Sequence, residues 1–295
     1  MIEKYLKGLL IGDWEWTRAE LAELRGAIPP EMPVFSMPES MEQWQQRIPY
    51  RPQELLFLGR TGKSIQIATE GHLAVLGYET KGTPFDSGKE STGFGAESPV
   101  VKYLWINTGE IEEEYLERVY RRQKGIPWDI LETERCVVRE LAMADLDALY
   151  EMYGKENFGE FLEPLFDRET EEEYQKAYIE NMYGYYEYGM WLVFHKDTGE
   201  LMGRAGLEPK EVQGESQVEL GYVISPEYRG QGYATEVCEA ILLYNRNKLF
   251  IEDVYCMIER DNTLSIRLAE KLGFVYQDRL TEKGILWERY HWSNH

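Results

Sequence analysis

The sequence predicts an α/β protein with two domains, and three observations support this prediction. Apolar runs typical of strands alternate with segments whose apolar residues recur at helical spacing. A glycine-rich turn near residue 230 joins one such strand to one such helix. The chain has 295 residues, which is long for a single domain. We expect a smaller α/β domain at residues 1–128 and a second domain at residues 132–295, with Gly125 to Pro127 as the linker.

The first domain is predicted to contain three helices and four strands. Thr17 precedes the first helix, and Glu20 follows three residues later, which is the spacing of a capping box. The predicted helices cover residues 17–25, 40–46 and 109–123, and the predicted strands cover residues 55–58, 64–68, 72–76 and 100–106. Residues 85–99 are rich in glycine, serine and charged residues, which indicates a long connecting loop.

One segment of this domain, Gly59 to Ser64, has the ending of a nucleotide-binding loop. The full pattern requires glycine at position 57, where the chain has Phe57. The following residues, Ser64 to Ile67, alternate polar and apolar as a strand does, whereas a phosphate loop must open a helix. The sequence therefore favours a hairpin turn here.

Composition restricts the class of partner. The net charge of −21 lies mostly beyond residue 131, and so negative a chain is unsuited to nucleic acid or to an anionic membrane. A cationic partner is compatible with this charge, although solubility alone also accounts for it. The three cysteines have no disulfide or metal spacing, and the apolar run Leu9 to Ile11 is too short for a signal peptide or membrane span. We expect a cytoplasmic protein without a metal site.

The second domain has a longer series of elements. Helix-forming segments are expected at residues 145–153, 170–182, 232–242 and 262–273, and strands at residues 136–139, 191–195, 201–207, 220–224 and 251–257. Between the strand at 220–224 and the next helix lies Arg229-Gly230-Gln231-Gly232. Such a turn directs several backbone N–H groups and the positive end of the helix dipole at one point, which favours phosphate binding. Arg229 adds a charge able to pair with phosphate oxygens.

Two motifs in this domain resemble those of the GCN5-related N-acetyltransferases (GNAT). Arg229, Gly232 and Ala234 match the motif R/Q-x-x-G-x-G/A, and Asn262 and Ser265 begin a second motif that ends in Glu-Lys-Leu-Gly-Phe. The resemblance covers residues 132–292. Within the family, the second motif is similar to that of the ribosomal-protein N-terminal acetyltransferase branch. It implies the acyl-CoA N-acyltransferase fold, whose mixed sheet is splayed where the cofactor enters.

The resemblance also implies acetyl-CoA as the cofactor and names its binding residues. The diphosphate is expected at the turn, the pantetheine arm along the preceding strand, and Asn262 on the pantetheine. The expected cofactor-binding residues are Tyr222, Val223, Ile224, Arg229, Gly230, Gln231, Gly232, Tyr233, Ala234, Asn262 and Ser265.

Acyl transfer to an amine requires a general base and a proton for the departing thiolate. Glu219 is the best-placed carboxylate for the base, since family members often have an acid just before the cofactor strand. A structural role at the splay is the alternative. Many relatives have a tyrosine seven residues after the motif asparagine, where this chain has Ala269. Ser265, or a water that it holds, is the candidate substitute.

The acceptor is expected to be a primary amine, either a small cationic compound or a protein N-terminus. The aromatic cluster Tyr183, Tyr185, Tyr186, Tyr188 and Trp191 would attract an ammonium group, helped by the acidic residues 171–173. The alternative is that these rings pack against the first domain. The sequence predicts an active N-acetyltransferase; the other interpretation is a GNAT-fold module that binds cofactor or protein without turnover. The oligomeric state and the role of the first domain are not predicted.

Overall fold

The computed structural model describes residues 4–79, 103–106, 109–159, 161–282 and 284–294. The chain forms two compact units, Met1–Ile126 and Pro127–His295. Each unit has its own sheet and its own hydrophobic core.

Unit 1 is built on a five-stranded parallel sheet with helices on both faces. Its strands are β1 (Gly8–Ile11), β2 (Val34–Ser36), β3 (Leu55–Gly59), β4 (Ala74–Glu79) and β5 (Leu104–Ile106), and its helices are α1 (Arg18–Ala27), α2 (Met41–Arg47), α3 (Gly62–Glu70) and α4 (Glu113–Gln123). The strand order is β2-β1-β3-β4-β5, and every described pairing is parallel. Because strand side chains alternate, α1 and α4 cover one face of the sheet, while α2 and α3 cover the other.

The hairpin predicted at Gly59 to Ser64 is wrong, because residues 62–70 form the helix α3 rather than a strand. Thr61 starts this helix: its hydroxyl accepts a hydrogen bond from the Ser64 backbone N–H at 3.2 Å. Ile65 and Ala68, which are three residues apart, are buried against the sheet, whereas Ile67 is exposed. The apparent alternation at 64–67 came from one exposed isoleucine on a helix.

The other predictions for unit 1 had mixed outcomes. The capping box of Thr17 and Glu20 is confirmed, and β3 and α2 lie where the sequence placed them. The strand predicted at 72–76 begins later, at Ala74. The loop predicted at 85–99 and the first residues of the strand predicted at 100–106 lie outside the described residues. The apolar run Leu9 to Ile11, which was considered only as a possible membrane signal, is the buried strand β1.

Unit 2 is built on an eight-stranded mixed sheet. Its strands are β6 (Asp129–Glu132), β7 (Cys136–Arg139), β8 (Met190–His195), β9 (Leu201–Val212), β10 (Glu215–Ile224), β11 (Asp253–Glu259), β12 (Val275–Glu282) and β13 (Ile285–Ser293). Its helices are α5 (Leu146–Tyr153), α6 (Arg168–Tyr178), α7 (Tyr233–Tyr244) and α8 (Thr263–Lys271), with π-helical segments at Ile179–Tyr186 and Asn245–Leu249.

The strands of unit 2 follow the order β12-β13-β11-β10-β9-β8-β7-β6. Only β10 and β11 are parallel among the described pairings, and they pair over just two positions, Val218 with Val254 and Glu219 with Tyr255. β10 continues to Ile224 while remaining paired with β9 on its other side. The two parallel strands therefore separate after Glu219, which is the splay expected of the predicted fold.

The core of unit 2 lies on both faces of this sheet and includes all three cysteines, which are buried as free thiols. Burial raises the pKa of each thiol, so these residues pack as small, neutral side chains of the core. Among the helices that the structure describes, none has the length and apolar character needed to cross a membrane.

Candidate active site

A cavity of about 410 Å³ lies where β10 separates from β11. Its walls come from the end of β10, the turn before α7, the first turns of α7 and α8, and a loop after α5. The lining residues are Phe158, Phe161, Leu162, Tyr222, Val223, Ile224, Tyr228, Arg229, Gly230, Gly232, Tyr233, Ala234, Thr235, Asn262, Leu264, Ser265 and Leu268.

One end of the cavity is the start of α7. Gly232 is the N-cap residue with φ of 87°, and no side chain caps the helix. Gly230 also has a positive φ, 74°, so this turn needs two residues without a Cβ. The first backbone N–H groups of a helix have no partner within it, and here the residues that carry them, Gly232 to Thr235, line the cavity. The geometry suits an anion.

Arg229 lines the cavity, but its guanidinium makes different contacts from those expected. It donates to the backbone carbonyls of Ile224 at 2.8 Å, Asn157 at 2.9 Å and Phe158 at 2.6 Å. Three of its five N–H groups are therefore used within the protein. These bonds fix the loop at residues 157–158 against the turn, and the phosphate pairing expected of Arg229 stays a prediction.

A second arginine supports the same turn. Arg135 forms an ion pair with Glu236 at 2.6 Å, donates to the Gln231 carbonyl at 3.1 Å, and lies 4.1 Å over the Tyr233 ring. Glu236 is in the first turn of α7, where an unpaired carboxylate would repel a bound anion. Arg135 neutralises that charge. This residue was missed from the sequence because the pairing spans about a hundred positions of the chain.

At the other end of the cavity, Asn262 begins α8. Its side-chain oxygen accepts a hydrogen bond from the Ser265 N–H at 3.2 Å, and its amide NH₂ has no acceptor among the described residues. The Ser265 hydroxyl lies beside the phenol of Tyr222, and burial raises the pKa of that phenol well above its usual range. Ala269 is buried and does not line the cavity. Tyr222 and Ser265 are thus the hydroxyl groups that α8 and β10 bring together here.

Glu219 lies at the point where β10 and β11 separate and does not line the cavity. Because side chains alternate along a strand, Glu219 and Tyr222 project from opposite faces of the sheet. The buried Gln217 amide donates to Glu219 Oε1 at 2.8 Å. Within the described chain, the second oxygen, Oε2, receives no hydrogen bond. Burial raises the pKa of this half-buried carboxyl group, against the hydrogen bond from Gln217 and the charge of Lys210.

The structure divides the aromatic cluster into core and surface residues. Tyr183 is fully buried, and its hydroxyl donates to the Met190 carbonyl at 2.6 Å. Trp191 is fully buried as well and packs edge-on against Tyr244. An acceptor cannot reach either ring in this conformation. Tyr185 and Tyr186 are 79% and 43% exposed, respectively, and Tyr188 is partly buried beside Tyr186.

The acidic start of α6 is also less available than its sequence suggested. Glu171 is buried, and its carboxylate accepts from the Gln175 side chain at 2.6 Å and from the Phe166 N–H at 3.1 Å. Glu172 pairs with Arg168 at 2.9 Å. Two of the three carboxylates therefore stabilise the helix and the loop before it.

The cavity brings together every predicted cofactor-binding residue except Gln231. Gln231 is exposed, and its side chain donates to the Glu227 carbonyl at 2.7 Å. The apolar part of the wall, which was not predicted, consists of Phe158, Phe161, Leu162, Leu264 and Leu268. Leu264 and Leu268 lie within the second motif, which was their only local signal, whereas Phe158, Phe161 and Leu162 belong to no motif.

Comparisons with known proteins agree with this geometry. Residues 135–275 match the Acetyltransferase (GNAT) domain family. The uncharacterized protein YkkB of Bacillus subtilis is 34% identical over 91 residues, which are 31% of this chain and 53% of YkkB. The uncharacterized N-acetyltransferase YoaA of the same organism is 27% identical over 150 residues, covering 49% of this chain and 82% of YoaA.

A shorter match is to the spermidine N(1)-acetyltransferase of Escherichia coli, which is 31% identical over 64 residues, or 22% of this chain and 34% of that enzyme. The chain thus spans about half of YkkB and a third of the spermidine enzyme. The family match covers the splayed strands, the glycine turn and α8. Residues 135–275 are a GNAT acetyltransferase domain, as the two sequence motifs predicted.

Proposed function

We propose that this protein is an N-acetyltransferase that moves an acetyl group from acetyl-CoA to a primary amine. The observation that carries the proposal is the uncapped start of α7, with Gly230 and Gly232 at positive φ, opening onto the cavity. The family match and the N-acetyltransferase relatives support it.

The residues present fit coenzyme A. The backbone N–H groups from Gly232 to Thr235 would bind the diphosphate, and a Cβ at Gly230 or Gly232 would require a strained backbone. The backbone of Tyr222 to Ile224 is free of β11 and would bind the pantetheine amides as a partner strand does, with the Asn262 amide as a further donor. Apolar residues such as Leu264 and Leu268 would exclude water.

When bound, acetyl-CoA supplies an activated acetyl group that an amine can attack. The chain's part is to remove a proton from that amine and to donate a hydrogen bond to the coenzyme A thiolate that leaves when the thioester bond breaks. Glu219 is suited to the first task, directly or through a water, because Oε2 accepts no hydrogen bond within the described chain and the carboxyl pKa is raised by burial. Tyr222 and Ser265 are suited to the second, as neutral hydroxyl donors on the cavity side of β10.

The acceptor is proposed to be a small cationic amine or a protein N-terminus. The spermidine acetyltransferase relative supports an amine of this kind. The exposed Tyr185 and Tyr186 rings are the part of the aromatic cluster that can meet a cation, with Tyr188 beside them.

Calorimetric titration with acetyl-CoA, followed by a free-thiol assay with a panel of amines, tests the proposal. The panel should include spermidine, a monoamine and a short peptide with a free N-terminus. We expect saturable acetyl-CoA binding and amine-dependent thiol release. Binding without thiol release for any amine would favour the alternative, a GNAT-fold module without turnover. Failure to bind acetyl-CoA would refute both.

A further inference from the structure

The surroundings of Glu219 contain an arrangement of charges that the reaction scheme does not explain. In the antiparallel pairing of β9 with β10, Glu219 lies directly opposite Glu208. Residues opposite each other have Cβ atoms about 4.5–5.5 Å apart, and two like charges in that position repel. A second carboxylate beside the proposed base therefore needs a reason.

Two neighbouring positions complete a square of polar residues. Lys210 lies opposite Gln217, one step along the same face of the sheet. Lys210 Nζ pairs with Glu208 Oε2 at 3.2 Å, and the Gln217 amide donates to Glu219. The lysine thus compensates Glu208, while Glu219 receives only a neutral donor.

The Glu208 carboxylate is held firmly in this place. Its other oxygen, Oε1, accepts a hydrogen bond from the Tyr178 hydroxyl at 2.6 Å. That hydroxyl also accepts from the Met190 backbone N–H at 2.6 Å, so it is fixed between α6 and β8. The Glu208 carboxylate therefore has a fixed position next to Glu219.

Several titratable and charged groups of the described chain surround this square, including the partly buried cation Arg204, four residues before Glu208 on the same face of β9. Tyr174 and Tyr178 of α6 lie over it, and burial raises the pKa of both phenols, so both stay neutral at ordinary pH. Tyr255 is the β11 partner of Glu219. Glu282 of β12 adds a further negative charge, and it acts on the Glu219 pKa in the same direction as Glu208.

We propose that Glu208 and Lys210 are positioning residues whose opposite charges fix the pH above which Glu219 can accept a proton. The proposal rests on the proposed function, in which Glu219 is the base. Glu208 disfavours a negative charge on its neighbour, and Lys210 both favours that charge and neutralises Glu208. The Glu219 pKa thereby lies below the value that Glu208 alone would produce and above the value that Lys210 alone would produce.

The signs of the expected changes differ for the two residues. Glu208→Gln removes the repelling charge and frees Lys210, so the Glu219 pKa falls. Lys210→Gln removes the attracting charge and leaves Glu208 without its ion-pair partner, so the Glu219 pKa rises. Each shift should be about half a pH unit or more, as expected for charges at this separation in a partly buried site.

The experiment measures kcat/KM for acetyl-CoA and an active amine against pH in the full chain. The acidic limb should move to lower pH in Glu208→Gln and to higher pH in Lys210→Gln. Two variants serve as controls, Glu211→Gln, exposed on the same strand, and Lys248→Gln, exposed in a π-helical segment. In both, the acidic limb of kcat/KM should stay at the pH of the parent protein. Limbs that stay in place, or that move in one common direction, would overturn the proposal.

A direct titration separates this proposal from the proposed function. Protein labelled with ¹³C at the glutamate carboxyl carbons is titrated without substrate, and the Glu219 signal is assigned by its loss in Glu219→Gln. Opposite shifts of the titration midpoint of this signal in the two variants support the proposed effect of Glu208 and Lys210, even if Glu219→Gln keeps its rate and the base assignment fails. An unshifted midpoint refutes that effect, even if Glu219 proves to be the base.

Discussion

The two units each contain a strand, a glycine-containing turn and a helix, and the two helix starts differ in what occupies them. In unit 2, α7 begins at Gly232 with no side-chain cap and faces a cavity. In unit 1, α3 begins after Thr61, whose side chain accepts from the Ser64 N–H. Both turns follow the end of a strand that is buried in its sheet.

The start of α3 already holds an anion, supplied by the chain itself. Glu15 Oε2 accepts from the Arg60 N–H at 3.2 Å and from the Thr61 hydroxyl at 3.3 Å. The Arg60 side chain turns away to pair with Glu20 and lies over the Trp16 ring. A carboxylate thus occupies the place where a phosphate would bind.

A strand, a turn and a helix in succession therefore do not by themselves make an anion site. The pattern supplies N–H groups in both units, but in unit 1 a side-chain cap and the Glu15 carboxylate lie at the helix start, whereas in unit 2 the helix start has no side-chain cap and lines the cavity. Glycine at positive φ and the lack of a nearby acceptor within the described chain distinguish the open start from the filled one.

The largest effect is expected from closing the open start. Gly232→Asp adds a carboxylate where the coenzyme A diphosphate is proposed to bind, and it also strains a backbone at φ of 87°. We expect acetyl-CoA affinity to fall about 100-fold or more, because two anions cannot share one helix start. Calorimetry measures the affinity, and circular dichroism checks the fold.

Gly214→Asp is the matched control. Gly214 has a similar φ of 84° in the turn between β9 and β10, with no atom within 4 Å of the position that a Cβ would take and no place in the cavity wall. The Gly214 variant has the same kind of backbone strain, but position 214 lies outside the proposed diphosphate site. Equal losses of affinity in both variants would show that strain, and not the anion site, is responsible.

A second comparison concerns two carboxylates, Glu219 in unit 2 and Glu15 in unit 1. Burial raises the pKa of both. Glu15 accepts hydrogen bonds from Arg60 and Thr61 just before α3, whereas Oε2 of Glu219 receives no hydrogen bond within the described chain. Glu219→Gln should therefore lower kcat at least ~100-fold with little change in acetyl-CoA affinity, while Glu15→Gln leaves kcat unchanged.

The pH dependence follows from the same shift. A base works only when deprotonated, so the rate should fall as pH falls through the Glu219 pKa. Because that pKa is raised, the acidic limb should lie above the ordinary glutamate value of about 4.3. The limb should vanish in Glu219→Gln. A Glu219→Gln enzyme with the parent rate and the parent limb would leave Glu219 a structural role at the splay.

The open helix start was predictable from sequence because its determinants are local. Gly230, Gly232 and the strand before them are adjacent in the chain, and the family motif spans six residues. The filled start was not predictable, because Glu15 reaches α3 from 45 positions away. The parallel order of the unit 1 sheet was missed for the same reason, since strand neighbours are set by contacts distant in sequence.

The role of Arg229 shows a related difficulty. A charged residue in a phosphate-binding motif suggests a direct ion pair, yet the guanidinium satisfies three carbonyls of the surrounding loops. Two of these carbonyls, at Asn157 and Phe158, are some seventy positions away. Residue type and motif position predicted that Arg229 belongs to the site, but not which groups it binds.

A smaller effect is expected for the exposed rings of unit 2. Tyr185 and Tyr186 meet edge to face with their ring centres 5.0 Å apart, and both are exposed. If they bind the acceptor's ammonium group, replacing both with alanine should raise KM for the amine about 5- to 30-fold, from about 0.5–1 kcal/mol per ring. KM for acetyl-CoA should not change.

Trp14→Ala is the control for this pair, since Trp14 is an exposed ring of unit 1. Added salt should weaken the amine affinity of the parent protein through screening, and it should do so less in the double variant. If KM for acetyl-CoA and for the amine rise together, or if the protein loses stability, the tyrosines are packing residues and the acceptor site lies elsewhere.

The smallest effect tests whether the filled start of α3 is purely structural. Thr61→Ala removes the cap that accepts from the Ser64 N–H and leaves the Glu15 carboxylate with one donor fewer. Loss of an N-cap typically costs about 1 kcal/mol, so amide exchange across residues 62–70 should quicken about fivefold in the full chain. Acetyl-CoA affinity should stay at the parent value, because no part of α3 lines the cavity. Unchanged exchange would mean that the Thr61 cap contributes little and that the bond from Glu15 to the Arg60 N–H fixes the segment before α3, and Glu15→Ala should then produce the larger effect. A fall in acetyl-CoA affinity in either variant would instead show that the filled helix start and the open one are coupled.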